Sequence, residues 1–334
     1  MRTSTPLETV APSSLGDVTA PGVAALIDIG SASAVVQVVA SNPTSIRDDP
    51  RGGIIELARD KVSLRLGAAL INGRFDDATV ERVVATLCRF AALARRNGVD
   101  PASSAMVAVA TEAMRRAENA PALCAAIARE SGITLRVIDG TTEAALAFMA
   151  ARMRCPAGML VSVDIGGGST EVAWGQGAQP DVAVSVSAGA VVLCGRYGLS
   201  GVVDAPTLDA ARADVDALLA GGGLPRHPPA LMSAGTVVLG TSGSIQRVAK
   251  LLCARQGNDP DAVDGRIIAA DDLKWVIDTL ASRDLAARKD LAGMDVERAD
   301  VLLAGAVIIE RVAYWLGHDE WRVATTGLRT ALAA

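Results

Sequence analysis

Apolar runs recur along the chain, each short and each closed by glycine or polar residues. Val23-Ala24-Ala25-Leu26-Ile27 leads into Asp28-Ile29-Gly30-Ser31, and Ala34-Val35-Val36-Gln37-Val38-Val39 follows. Two β-like runs around a Gly/Ser turn predict a hairpin. A phosphate-binding P-loop would instead enter a helix and carry Gly-Lys-Ser/Thr, which is absent here. Between 77 and 97 the period changes: Val80, Val83, Val84, Leu87, Phe90, Ala91 and Ala94 fall at steps of three and four, which predicts an amphipathic helix. Asp76 or Asp77 can cap its start, and Asn97-Gly98 can end it. Residues 106–110 and 135–138 read as strands, and 121–131 and 142–152 as helices, the former closed by Gly132. This alternation predicts an α/β layer.

The opening pattern then returns. Residues 159–163 are apolar, Asp164-Ile165-Gly166-Gly167-Gly168-Ser169-Thr170-Glu171 follows, and Val172-Ala173-Trp174 resumes the strand. Asp164 lies 136 residues after Asp28, a domain-sized period rather than a solenoid repeat. It predicts two related α/β domains, each offering a glycine hairpin. A third cluster, Gly240-Thr241-Ser242-Gly243-Ser244, follows an apolar run at 236–239 and opens a helix over 245–254. Helices are further predicted over 270–280 and 296–316, and a strand over 321–326 before Gly327-Leu328-Arg329. The Ser/Thr/Pro/Ala-rich residues 1–21 carry Glu8 and Asp17 and lack the apolar core of a signal peptide, so they read as a disordered tail.

Composition narrows the chemistry. The 334 residues are 50% hydrophobic, enough for sizeable cores. Net charge is -5, and nine residues are aromatic, which argues against general nucleic-acid binding by charge or base stacking. No run is long enough to span a membrane. Five cysteines without a CxxC pair read as reduced thiols of a cytoplasmic protein. Only two histidines are present, His227 and His318, so a Ser-His-Asp mechanism and His-rich zinc sites are disfavoured. Any catalysis rests on carboxylates, arginine and backbone amides.

Asp164 through Glu171 is the strongest candidate site. Glycines let backbone amides approach a phosphate, and an Asp at a strand end can hold a hard cation. Glu143 and Glu171 can share an acid/base or metal role, although a Glu in a first helical turn is also simply favoured by the helix dipole. Arg115, after a strand, can clamp phosphate oxygens or lie solvated on the surface. Arg247 and Lys250 carry the same ambiguity.

These residues resemble the exopolyphosphatase/guanosine pentaphosphate phosphatase (Ppx/GppA) family of the actin-like ATPase superfamily. The carriers are Asp28-Ile-Gly-Ser31, Ala110-Thr-Glu-Ala-Met-Arg-Arg-Ala-Glu-Asn119, Gly140-Thr-Thr-Glu143-Ala, Asp164 to Glu171, Gly240-Thr-Ser-Gly-Ser244, Glu297-Arg-Ala-Asp300 with Gly305-Ala306, and Gly327-Leu-Arg329. The resemblance implies two ribonuclease-H-like α/β domains, over 22–146 and 147–334, with the site in the cleft between them and the last helix a candidate to return to the first. It implies Mg²⁺- or Mn²⁺-dependent hydrolysis of the terminal phosphoanhydride of inorganic polyphosphate, with the 5′ phosphate of pppGpp as the alternative substrate, in a homodimer. Glu143 matches the general base and Glu171 the second catalytic carboxylate. Asp164 and Glu171 match the metal-holding positions. Asp28, Gly30, Ser31, Arg115, Gly166, Gly167, Gly168 and Ser169 match the phosphate-binding positions.

The sequence departs from the family at several points. Ala32 stands where Asn is usual, Val192 where Arg is common, and Thr330-Ala331 where Glu-Gly is usual. A chain of 334 residues lacks the extra C-terminal domains of longer members, which leads to an expected preference for shorter polyphosphates. A non-catalytic polyphosphate or nucleotide binder, and an ATP-driven enzyme with an adenosine pocket near Gly240–Gly243, remain the readings from other functional classes.

Overall fold

The computed structural model describes residues 22–41, 54–233 and 235–333. The tail expected over 1–21 lies outside them. The chain divides into two compact units, residues 1–143 with 328–334, and residues 144–327.

The first unit holds a five-stranded sheet. Its elements are β1 (Val23–Ile29), β2 (Ala34–Ser41), β3 (Ile54–Val62), α1 (Leu66–Ala69), α2 (Asp77–Arg96), β4 (Met106–Ala110), α3 (Glu112–Arg116), α4 (Ala120–Ser131) and β5 (Leu135–Val137). The strand order is β3-β2-β1-β4-β5. The first three strands form an antiparallel meander, and β4 and β5 join in parallel. Alternate residues of β1 and β2 (Ala25, Ile27, Ile29; Ala34, Val36, Val38) meet Val83, Leu87, Phe90 and Ala94 of α2 in the core. The periods of two and 3.6 in the sequence account for that packing. Asp76 caps α2 by accepting from the Thr79 amide at 2.8 Å, and α4 ends at Gly132 with φ of 81°.

Helix α5 (Gly140–Arg154) spans the division between the units. The second unit continues with β6 (Leu160–Ile165), β7 (Thr170–Gly175), β8 (Val182–Val186), α6 (Ala190–Tyr197), α7 (Ala205–Gly221), β9 (Val237–Gly240), α8 (Gly243–Arg255), β10 (Ile267–Ala269), α9 (Ala270–Ala281), α10 (Leu285–Lys289), α11 (Leu302–Leu316) and β11 (Glu320–Val323). Its sheet runs β10-β11-β9-β6-β7-β8. An antiparallel meander β6-β7-β8 joined by parallel β9 and β11 repeats the first unit's plan. Both sheets are ribonuclease-H-like. Residues 302–309 of α11 are all buried, as expected of a helix apolar on every face, and α11 packs on α6, α7, α8 and α9.

The structure differs from the sequence expectations in two elements and assigns the last helix, a candidate to return, to the first unit. Residues 296–316 form a 3₁₀ turn at Val296–Arg298 and then α11, rather than one helix. The strand expected over 321–326 is Glu320–Val323. The last helix, α12 (Leu328–Ala333), belongs to the first unit and packs on β1, so the segment 147–334 is not one unit. Among the described residues, no helix is long and apolar enough to cross a membrane, and all five cysteines are free thiols.

Arg288 is fully buried. It donates to the carbonyls of Leu280 at 2.8 Å, Leu199 at 2.7 Å and Gly201, tying α10 to α9 and to the segment after α6. Each carbonyl stranded without water or a donor costs about 1–3 kcal/mol. Arg288→Ala should therefore lower unfolding stability by about 3 kcal/mol or more, read by urea denaturation.

Candidate functional site

In the first unit, β1 and β2 close around Gly30–Ser33, with the Gly30 amide donating to the Ser33 carbonyl at 3.0 Å. Asp28 sits at the end of β1 in register with Val35. Burial pushes its pKa up, and the Arg329 guanidinium, donating to Oδ2 at 3.1 Å, pulls it back. Arg329 reaches it from α12. Ser31 is buried, and its hydroxyl donates to Oε2 of buried Glu112 at 3.1 Å. Glu112 also pairs with Arg116 one helical turn on, at 3.0 Å. The first hairpin is thus braced by a carboxylate that the sequence did not single out.

Helix α5 places Glu143 in its first turn. Asp139 caps that turn, accepting from the Thr142 amide and the Thr141 hydroxyl, each at 2.7 Å. Arg115, on α3, donates through Nη1 to Oε2 of Glu143 at 2.8 Å and to the Ile138 carbonyl at 2.9 Å. Two sequence candidates from separate elements are thereby brought together. The pair is partly buried, so the guanidinium fixes the carboxylate's orientation more firmly than a solvated pair would.

Partial burial acts to raise the pKa of Asp139, but the hydrogen bonds from Thr142 and Thr141 outweigh it and leave the pKa below the usual carboxylate value. A depressed folded-state pKa means that the cap's stabilisation is present above the unfolded Asp value and is lost as pH falls through the folded one. Asp139→Ala should cost about 1 kcal/mol at neutral pH. The loss should shrink as the pH drops into the acid range, measured by thermal melts across pH.

The second unit repeats the hairpin. The Gly166 amide donates to the Ser169 carbonyl at 2.8 Å. Asp164 pairs in register with Glu171, and Ile165 with Thr170. In the first hairpin the corresponding partner of Asp28 is Val35, so only the second hairpin carries carboxylates on both strands. Glu171 is buried, and its Oε1 accepts from the Ser185 hydroxyl at 2.8 Å. Oδ2 of Asp164 accepts from the Thr241 hydroxyl at 3.2 Å. The amides of Ala190 and Val191, at the start of α6, donate to the carbonyls of Gly166 and Gly167 at 3.0 and 2.9 Å. With those carbonyls held from one side, the amides of Gly167 and Gly168 meet no acceptor among the described residues. Such unspent amides in a glycine turn are suited to anion binding.

The donor set suits a hard cation. Register-paired carboxylates supply oxygen ligands, the type that Mg²⁺ and Mn²⁺ prefer. Among the described residues no group of three or more His, Cys, Asp or Glu side chains gathers into a metal cluster. A cation held by Asp164 and Glu171 would therefore take its remaining ligands from water and phosphate, as Mg²⁺ commonly does.

Glu112, Ser185 and Thr241 join these sites without having been singled out in the sequence, and Arg329 stood in a motif without a role. Glu112, Thr241 and Arg329 lay in segments marked by a motif. Ser185 reaches Glu171 through the register of β7 and β8, which no local pattern reveals.

A profile of the Ppx/GppA phosphatase family matches residues 45–333. Exopolyphosphatase 1 of Mycobacterium tuberculosis is 27% identical to this chain, covering 92% of it and 86% of its own length. Exopolyphosphatase 1 of Mycobacterium leprae is likewise 27% identical, over 92% and 87%. The crystal structure of the Aquifex aeolicus family member aligns with a TM-score of 0.74 at 25% identity, covering 93% of this chain and 95% of that one. An exopolyphosphatase-like protein aligns at 0.79 with 26% identity, over 93% and 96%. With two sheets that share a five-strand order, a glycine hairpin in each and a match over most of its length, the chain belongs to the Ppx/GppA phosphatase family of hydrolases, with the two-domain actin-like fold.

Proposed function

We propose that the protein is an exopolyphosphatase, removing the terminal phosphate of inorganic polyphosphate by attack of water. The observation that carries this reading is the second hairpin. Asp164 and Glu171 stand in register on either side of a glycine turn whose Gly167 and Gly168 amides have no acceptor among the described residues. Amides beside oxygen ligands for a cation suit a polyanion, and the named exopolyphosphatase relatives support that substrate class.

Phosphoryl transfer demands positioning and charge neutralisation more than covalent catalysis. Glu143 orients the attacking water and takes its proton, and the Arg115 contact fixes the direction of that carboxylate. The amides of Gly167 and Gly168 hold phosphate oxygens, with Gly30 and Ser31 of the first hairpin and Ser169 of the second as further phosphate positions. Asp28 belongs to the same set. Its pairing with Arg329 keeps a partly buried carboxylate from standing alone. A Mg²⁺ or Mn²⁺ ion on Asp164 and Glu171 would neutralise charge on the phosphate oxygens.

The test is phosphate release from polyphosphate, pppGpp and ATP in parallel, with and without Mg²⁺. Release from polyphosphate with the highest kcat/KM supports the reading. Preference for pppGpp would reassign the substrate, and release only from ATP would overturn the polyphosphate assignment. A polyphosphate chain-length series tests the expected preference for shorter polymers, and a kcat/KM rising with length would refute it.

A further inference from the structure

We propose that Thr241 and Ser185 are positioning residues that fix the directions of Asp164 and Glu171, acting from the two sides of the β6–β7 hairpin. The inference rests on the reading of those carboxylates as cation ligands. In the sheet, β9 lies beside β6 and β8 beside β7. Thr241 directly follows β9, and Ser185 lies within β8 in register with Glu171. On one side the residue that follows β9, and on the other a residue of β8, therefore each supply one hydroxyl to the carboxylate on the neighbouring strand.

The hydrogen-bond geometry favours this role. The Thr241 amide already donates to the Val163 carbonyl at 2.9 Å. The Thr241 hydroxyl lies 3.4 Å from that carbonyl and 3.2 Å from Oδ2 of Asp164, so its single proton has the carboxylate as the nearer and charged acceptor. Thr241 is buried, which removes water as a competing partner. On the other side, the Ser185 hydroxyl donates to Oε1 of buried Glu171 at 2.8 Å. Each hydroxyl engages one oxygen of a group that can accept about four bonds. It restricts the rotation of that carboxylate.

This also gives the third glycine cluster a function. Ser242 caps α8 by accepting from the Ile245 amide at 3.2 Å, and the Ser244 hydroxyl donates to the Ile165 carbonyl at 3.1 Å. With Thr241 on Asp164, every hydroxyl of Gly240–Ser244 is engaged within the unit. Two of the three act on β6, the strand that carries Asp164. The segment braces the hairpin.

Groups that orient metal ligands typically change metal affinity by about 10- to 100-fold when removed. The experiment titrates Mn²⁺ into the full chain without substrate, following the free-ion signal by electron paramagnetic resonance. Thr241→Val and Ser185→Ala should each weaken Mn²⁺ binding by about 10-fold or more. Thr241→Ser and Ser185→Thr, which keep the hydroxyl, should restore it. Thermal midpoints of the conservative variants establish that the fold is intact. Wild-type affinity in Thr241→Val and Ser185→Ala overturns the inference. So does weakening in the conservative variants equal to that in the hydroxyl deletions, or absence of Mn²⁺ binding by the wild type. Hydroxyl-dependent Mn²⁺ binding without phosphate release from polyphosphate would instead uphold the inference and overturn the proposed function.

Discussion

Glu143→Gln should reduce kcat on polyphosphate by about 10²- to 10⁴-fold, the range that general-base catalysis contributes. Gln preserves the length and shape of the side chain, and its carbonyl oxygen can still accept from Arg115 across the present 2.8 Å contact. What it loses is the capacity to take a proton from water. KM should move little, because the glycine amides, Ser31 and Ser169 proposed to hold phosphate are untouched, and the melting temperature should stay near that of the wild type. A structural role for Glu143 would give the opposite split, a lower melting temperature with turnover largely retained. Full activity in Glu143→Gln would remove this residue from the mechanism.

Gly189→Ala should lower both stability and turnover, although Gly189 offers no chemical group. A Cβ at this position would lie 2.3 Å from the backbone N, Cα and C of Gly168, far inside the ~3.5–4.0 Å of normal carbon contact. The atoms it meets are main-chain atoms, so no rotamer change relieves the clash. Either α6 or the glycine turn must move, and the helix start is fastened to that turn through Ala190 and Val191. Overpacking of this kind costs about 1–3 kcal/mol and occasionally more. A displacement of the phosphate amides by about 1 Å can cost 10²-fold in rate. The control is Gly195→Ala, in the same helix, where an added Cβ meets nothing within 4 Å. It should be neutral or slightly stabilising. Equal behaviour of the two variants in melts and phosphate release would show that the contact with Gly168 does not constrain the turn.

The elements legible in the sequence were those with strong contrast between faces. Helix α2 alternates buried and exposed positions over five turns with an Asp cap, and β4 is a clean apolar run. The edge strands β3 and β8 were not legible. Ile54–Val62 mixes Glu56, Arg59, Asp60 and Lys61 with its apolar residues because much of the strand is exposed, and β8 has the same half-exposed character. Helix α7 was hidden for another reason: Ala and Asp fill most of Ala205–Gly221, and small residues define no sharp apolar stripe.

The site divides along similar lines. The glycine turn and its carboxylates stand in one octapeptide, so Asp164 and Glu171 could be read directly. The Arg115–Glu143 pair joins residues 28 apart in sequence, and the local sequence left both residues open to surface or helix-dipole roles. The Ser31–Glu112 and Arg329–Asp28 contacts span 81 and 301 positions. They follow from which strands and helices become neighbours, and a linear pattern does not encode that.

End-wise hydrolysis of polyphosphate is tested most directly by the lengths of the products. A uniform long-chain polyphosphate is incubated with the protein and Mg²⁺, and the products are resolved by gel and by ³¹P NMR over time. End-wise hydrolysis gives inorganic phosphate from the first time points, with chains shortening from their ends, internal-phosphate signal falling and terminal-phosphate signal constant while the chains persist. Mid-length fragments arising before free phosphate, or an unchanged polymer in the presence of folded protein and Mg²⁺, would contradict it.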